Sequence, residues 1–192
     1  TLGCGIADLE QASVLLLVGS NLRQDVPIIA HRVRKGVLRR GTRVAFVNPQ
    51  PIDVLFPVEA QLTSNGYGMA QHLAAILAAA VRASAATVPA AIGPALEGIV
   101  PTAEHERVAR MLTDGELRVI LLGALAERHV AYSEIRAVAA ALATVTGARL
   151  GFLPEGANAV GASLAGVTPH RGAGGRAVAK PGLPAAEMIG AR

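Results

Sequence analysis

Short apolar runs that stop at glycine or proline alternate with longer stretches of helical period. Residues 13–18 are almost continuously apolar and end at Gly19, Ser20 and Asn21. A run of that length closed by turn formers predicts a strand buried on both faces, as in parallel sheets. Asp25 then predicts a helix cap, with Pro27 in the first turn, where its missing N–H does no harm. Ile29, Val33 and Val37 recur every four residues as an apolar stripe, separate from the charged positions between them. Arg39 and Arg40 suit the last turn of that helix and Gly41 its left-handed exit. Residues 43–47 form a second strand, stopped by Asn48, Pro49, Gln50 and Pro51. Strand, helix and strand in that order predict a right-handed crossover between parallel neighbours.

The second half repeats the plan. After an irregular return at 57–65, with a short extended piece near 58–62, a helix is predicted over 68–82. It places Met69, Leu73, Ile76, Leu77 and Ala80 inward. Residues 84–101, rich in alanine, proline and glycine, read as an excursion within the domain. Thr102 predicts the cap of a helix reaching Asp114, with Glu104 and Glu106 in its first turns. Residues 117–122 give a third strand ending at Gly123, 132–146 a helix closed by Gly147, and 149–153 a fourth strand. The segments 41–47 and 147–153 look alike, so the chain holds two βαβ units. The predicted fold is α/β: a doubly wound, mainly parallel, Rossmann-like sheet with helices on both faces. Its four strands, near 13–19, 43–47, 118–122 and 149–153, are expected to be mutually parallel. Residues 1–170 read as a single α/β domain. Residues 171–192 read as a glycine- and proline-rich tail, poorly ordered or borrowed by a neighbour, that opens a truncated helix at 184–189. The start at Thr1, with neither an initiator methionine nor a leader's charged region, suggests an excised segment of a longer protein.

Composition narrows the class. Of 192 residues, 52% are apolar, 17% charged and only 3% aromatic, which excludes a disordered chain. The core must be packed from alanine and aliphatic side chains. The most apolar stretch, 69–81, is too short and too alanine-rich to span a bilayer, so a soluble segment without direct membrane insertion is expected. Cys4 is the single cysteine, so neither a disulfide scaffold nor an iron–sulfur or cysteine-type zinc site can be built from this segment alone. The net charge of +4 gathers at His31, Arg32, Arg34, Lys35, Arg39 and Arg40. No aromatic residue interleaves that cluster, which argues for a solvated helix face and against nucleic acid.

Ligands of open parallel sheets gather outside the carboxyl ends of the strands. Three loops answer that description: Gly19–Asn21, 48–50 and 155–161. Gly19 and Ser20 could offer N–H groups to a phosphate, and Asn158 could cap a helix aimed at one. No G-x-G-x-x-G follows the first strand, however, and the second ends in Asn48 where a ribose-gripping acid would stand, so ordinary tight turns are favoured. His31, His72, His105, His129 and His170 fall on separate elements without metal-binding spacing and read as surface or cap residues. No catalytic set and no metal site emerges.

The residues nevertheless carry a resemblance. Residues 7–12, the turn at Gly19–Asn21 and the run 31–35 resemble the large peripheral-arm iron–sulfur subunit (the G subunit) of bacterial NADH:quinone oxidoreductases, respiratory complex I. So, most specifically, do residues 154–161 and 164–170. The matching stretches cover most of residues 6–170. Proteins of that type carry 2Fe-2S and 4Fe-4S clusters in their N-terminal part, and their remainder is similar to molybdopterin oxidoreductases. The molybdenum enzymes show G-x-N-P after the first strand, D-P-R after the second, and a later N-x-x-G-x-x-x-x-G-x-x-P. Here the last pattern is complete at Asn158, Gly161, Gly166 and Pro169. The first is partial, with Leu22 for proline. The second is broken, with Asn48 for the aspartate and Gln50 for the arginine.

The resemblance implies a molybdopterin-oxidoreductase-like fold with an eroded cofactor site, whose vestigial positions are Gly19, Ser20, Asn21, Asn48, Asn158 and Gly161. It implies a scaffold domain without cofactor, catalytic or metal-binding residues of its own, supporting electron transfer from NADH to quinone. Its partners would be the other peripheral-arm subunits on the cytoplasmic side of the bacterial inner membrane. The turn at Gly19–Asn21 and the loop at 156–161 are expected to lie together at one sheet edge. Two other readings stay open: a molybdopterin-binding segment with Gly19, Asn21 and Asn158 on the cofactor, and a nucleotide-binding module.

Overall fold

The computed structural model describes residues 2–65, 68–156 and 158–190. It falls into two compact units, 1–153 and 154–192. The first is built on a five-stranded sheet: β1 (Val14–Val18), β2 (Arg43–Asn48), β3 (Ala60–Thr63), β4 (Arg118–Leu122) and β5 (Arg149–Phe152). The order is β3-β2-β1-β4-β5 and every pairing is parallel. The four expected strands are parallel as predicted. The fifth, β3, is the short extended piece, shifted to Ala60–Thr63 and paired with β2 at the edge.

Successive residues of a strand point to opposite faces, and here both faces are buried. Val14, Leu16, Val18, Ala45, Val47, Ile120 and Leu122 feed one core. Leu15, Leu17, Val44, Phe46, Val119 and Leu121 feed the other. That is why β1 and β4 read as unbroken apolar runs rather than alternating ones.

Within the first unit the helices are α1 (Leu22–Asp25), α2 (Pro27–Arg40), α3 (Gly68–Ser84), α4 (Gly93–Leu96), α5 (Ala103–Thr113), α6 (Ala124–Glu127) and α7 (Tyr132–Thr146). From β1 the chain winds outward through β2 to β3, and from β4 it winds the opposite way to β5. Right-handed crossovers in opposite directions must lie on opposite faces. Accordingly α2 covers one face with Ile29 and Val33, while α7 covers the other with Ile135, Val138 and Leu142. α3 packs between α5 and α7. It buries Met69, Leu73, Ile76, Leu77 and Ala80 as predicted, and also Ala70, Ala74, Ala75, Ala78 and Ala79. A helix pressed on several sides must be slim, and alanine makes it so.

Two local expectations change. Asp25 does not cap α2, which starts after Val26 with no side-chain cap and with Pro27 at its first position. Its carboxylate instead accepts the Asn21 N–H at 2.9 Å, closing α1. His72 and His105 lie on separate elements, as expected, and His105 serves as a cap residue, but the two side chains meet. His72 Nδ1 lies 2.8 Å from His105 Nε2, and His72 Nε2 lies 3.3 Å from the Thr63 carbonyl. The Thr102 N–H donates to His105 Nδ1 at 3.0 Å. One proton placement satisfies this chain, with both imidazoles neutral and each protonated at Nε2. It joins the end of β3 to α3 and to the first turn of α5, His105 taking the place usually held by Glu or Gln in a capping box.

The second unit holds α8 (Ala159–Ala165), a three-residue turn at Ala173–Gly175, and α9 (Ala185–Gly190) where the opening of a helix was predicted. None of its described residues is buried.

The histidine chain yields a pH prediction. Burial, then the neighbouring His72, push the His105 pKa down, against a weaker opposing pull from Glu104. The unfolded chain binds that proton near the ordinary value of about 6.5. It therefore binds more protons than the folded chain just below that pH, and stability falls as pH drops through 6.5. The melting temperature should be lower at pH 5.5 than at pH 7.5, and His105→Gln, which keeps a capping-box acceptor, should shrink the difference. An equal difference in both proteins would place the titrating group elsewhere.

Candidate functional site

In a sheet of this order the winding reverses between β1 and β4, and such a switch point is where open α/β sheets take ligands. The residues that follow β1, β2 and β4 therefore define the candidate site.

Gly19 has φ +60, and a Cβ there would collide with the backbone nitrogen of Ala126. Only glycine fits both the left-handed conformation and the contact. On the facing loop, a Cβ on Gly123 would lie 2.5 Å from that of Ser20. The two loops thus back directly onto each other. The Gly19 carbonyl accepts the N–H groups of Leu125 at 2.9 Å and Ala126 at 3.3 Å. The first-turn donors of α6, which in a phosphate site would face the ligand, are turned onto the chain itself.

The donors of the Gly19–Asn21 turn are committed in the same way. Gly19 N–H donates to the Val47 carbonyl at 2.8 Å, continuing the ladder. Ser20 N–H donates to Asn48 Oδ1 at 2.9 Å, while Asn48 Nδ2 donates to the Ser20 carbonyl at 3.2 Å. Asn21 N–H is taken by Asp25. Ser20 is fully buried and Asn48 is 1% exposed, so water does not compete for these bonds. The Ser20 hydroxyl is buried without a partner.

Beyond this closed floor, Asn21, Arg23, Gln24, Gln50, Pro51, Ile52 and Asp53 line a surface hollow of about 340 Å3. Arg23 and Asp53 pair across it at 2.9 Å. Its chemistry is amide and ion pair, with no nucleophile beside a base.

In the second unit, Asn158 precedes α8 but makes no side-chain cap bond, which corrects the expected cap. Its side chain lies over Gly161, where a Cβ would collide with Oδ1. Of the six vestigial positions, the first unit gathers Gly19, Ser20, Asn21 and Asn48 at the ends of β1 and β2. The second unit gathers Asn158 and Gly161. Sequence reasoning missed the loop after β4, with Gly123 and Ala126. The signal was present, because Gly123 ends its strand as Gly19 ends β1, but only the strand order makes the two loops neighbours.

Among the described residues no three His, Cys, Asp or Glu side chains gather to hold a metal ion. Cys4 is half-buried, and burial, then Asp8, push its thiol pKa up against Arg149.

The fold is that of a family of oxidoreductases: residues 1–189 match the molybdopterin oxidoreductase model, and the chain belongs to that family. It is also similar to the G subunits of NADH-quinone oxidoreductase from Mycobacterium bovis and Mycobacterium tuberculosis, at 31% identity over 173 residues in each case. The match takes in 90% of this chain but spans only 18% of those relatives' length.

The residues at the first unit's strand ends do not fit a pterin dinucleotide. Its phosphates need free N–H donors, and those of Gly19, Ser20 and Asn21 are spent. Asn48 is held at both ends of its amide, and the space between the β1 and β4 loops would not admit a methyl group.

Two substitutions separate a structural role from a ligand-binding one. Asn48→Ala leaves the buried Ser20 N–H and carbonyl unpaired and should cost about 2–4 kcal/mol in urea unfolding. Ser20→Ala removes a hydroxyl that bonds to nothing, and should be neutral or stabilising by up to about 1 kcal/mol. A clear loss from Ser20→Ala would reveal a partner for that hydroxyl.

Proposed function

We propose that this chain is a scaffold domain of a G-subunit-type protein in the peripheral arm of an NADH:quinone oxidoreductase. In this reading it supports electron transfer from NADH to quinone by holding neighbouring parts in place and performs no chemical step itself. The observation that carries the proposal is the complete internal engagement of the Gly19–Asn21 N–H groups and the Asn48 amide. A domain of a cofactor-binding family that has turned its ligand donors inward keeps the fold as a platform. The redox centres would then belong to other parts of the longer protein, as 2Fe-2S and 4Fe-4S clusters outside this segment. Its neighbours would be the other peripheral-arm subunits, on the cytoplasmic side of the inner membrane. Among the described residues no helix is long and apolar enough to cross a membrane.

The competing reading, a molybdopterin-binding segment, has the family match in its favour. Asn48→Ala and Gly19→Val in the full-length protein discriminate. On the scaffold reading both lower the amount of assembled complex and leave NADH oxidation per assembled complex within about twofold of wild type. A tenfold loss of turnover per assembled complex, or stoichiometric molybdopterin purifying with the full-length protein, would favour the cofactor reading instead.

A further inference from the structure

α2 carries Arg32, Arg34, Lys35, Arg39 and Arg40 and no acidic residue. Arg32 and Lys35 share one carboxylate, Glu10, from the turn Ala7–Glu10, with Lys35 at 2.8 Å. Hydrogen bonds from Lys35, then Arg32, hold the Glu10 pKa down at about 2. Among the described residues no carboxylate pairs with Arg34, Arg39 or Arg40. Arg32 with Lys35 and Lys35 with Arg39 fall at the three- and four-residue spacings at which like charges destabilise a helix by a few tenths of a kcal/mol each.

The inner side of α2 is fixed by the buried Ile29, Val33 and Gly36. At about 100° per residue, His31 and Leu38 stand directly opposite, with Arg34 on one flank and Lys35 and Arg39 on the other. Leu38, at the outermost position, is 57% exposed, and beside the helix Leu55 is 61% exposed. Two adjoining hollows follow this stripe, of about 230 and 320 Å3, and both are bounded by His31 and Arg34. Arg34 is held beside Leu55 by its Nε–H, which donates to the Leu55 carbonyl at 3.3 Å. Exposed leucines flanked by arginines suit a protein interface, where arginine is enriched over the rest of the surface.

We propose that this face of α2, with Leu55, docks an acidic amphipathic segment of another polypeptide. Two carboxylates of that segment would pair with Arg34 and Arg39, about 7.5 Å apart along the helix axis. An aliphatic side chain between them would cover Leu38, and a second, on the other side of Arg34, would cover Leu55. The unpaired charge fixes the sign of the partner, and the exposed leucines require it to be amphipathic. Nucleic acid is disfavoured because Phe56, the aromatic side chain beside the stripe, packs against the core rather than standing free for stacking. The inference deepens the scaffold reading by naming the chemistry of one partner.

The test places a photo-crosslinking amino acid at Leu38, and separately at Leu55, in the full-length protein within its native complex, and sequences the crosslinked peptide. The expected product is one peptide with two or more Asp or Glu within two helical turns. Arg34→Glu with Arg39→Glu should cut its yield at least tenfold, and Lys in place of the partner's carboxylates should restore it in that variant. Arg107→Glu with Arg110→Glu, on α5, should leave the yield unchanged. No crosslink, a crosslinked peptide without carboxylates, or adducts to nucleic acid or lipid would overturn the proposal. The scaffold reading is judged separately, by turnover per assembled complex in the strand-end variants, and can survive the loss of this docking site.

Discussion

Beyond Val18 and Val47 the ladder between β1 and β2 ends, and two chains that must separate still have peptide groups to satisfy. The side chain of Asn48 supplies the missing step. Its Oδ1 takes the Ser20 N–H and its Nδ2 gives to the Ser20 carbonyl, the same donor and acceptor pairing that another residue of sheet would make. Each bond adds only about 1 kcal/mol net, but leaving the buried peptide unpaired costs more than making it gains. With Ser20 held in this way, the Gly19 carbonyl turns toward α6 and accepts two of its N–H groups. The glycine contacts then bring the loop after β4 against the loop after β1. The ends of three adjacent strands are thus tied through one amide.

An aspartate at that position, as in the D-P-R pattern of the molybdenum enzymes, would still accept the Ser20 N–H. It has no N–H to give, and its second oxygen would face the Ser20 carbonyl across a buried gap. An acid is stable there only if that oxygen has something else to bind. Asparagine removes the requirement and makes the strand end self-sufficient. Gln50, on the rim of the outer hollow, presents a neutral amide where that pattern has an arginine.

Much of this was legible in the amino-acid sequence because strands buried on both faces leave an unmistakable trace. The runs at 13–18 and 117–122 could hardly be anything else, and Gly41 and Gly147 close their helices in the left-handed conformation as expected. The edge strand β3 was harder, since only Ala60 and Leu62 are buried and its pattern is no stronger than that of a loop. The engagement of Asn48 was not legible at all. A broken motif shows which group has gone but not what the new side chain touches, and that depends on the register between β1 and β2. The same limit hid the meeting of His72 and His105, which lie 33 residues apart and are joined only by the packing of α3 on α5.

The two faces of the sheet are unequally covered, and the difference decides where a partner can act. On one side α3, α5 and α7 form a layer rich in alanine, close-packed and nearly free of buried charge. On the other, among the described residues, α2 is joined by the short α1 through Leu22, the turn Ala7–Glu10 and the extended connection through Val54, Phe56 and Val58. A thin cover leaves its outer surface free to be specialised at little cost to the core, because the residues facing out are not those packing in. α2 uses that freedom: Ile29 and Val33 meet the sheet while the arginines, His31 and Leu38 face away. The thick side is committed to the fold's own stability, where a change in a buried alanine of α3, packed on both α5 and α7, would be felt on either side. The distribution of charge therefore follows from the order of the strands. Winding outward from β1 in both directions places a single long helix of the first unit, α2, on one face.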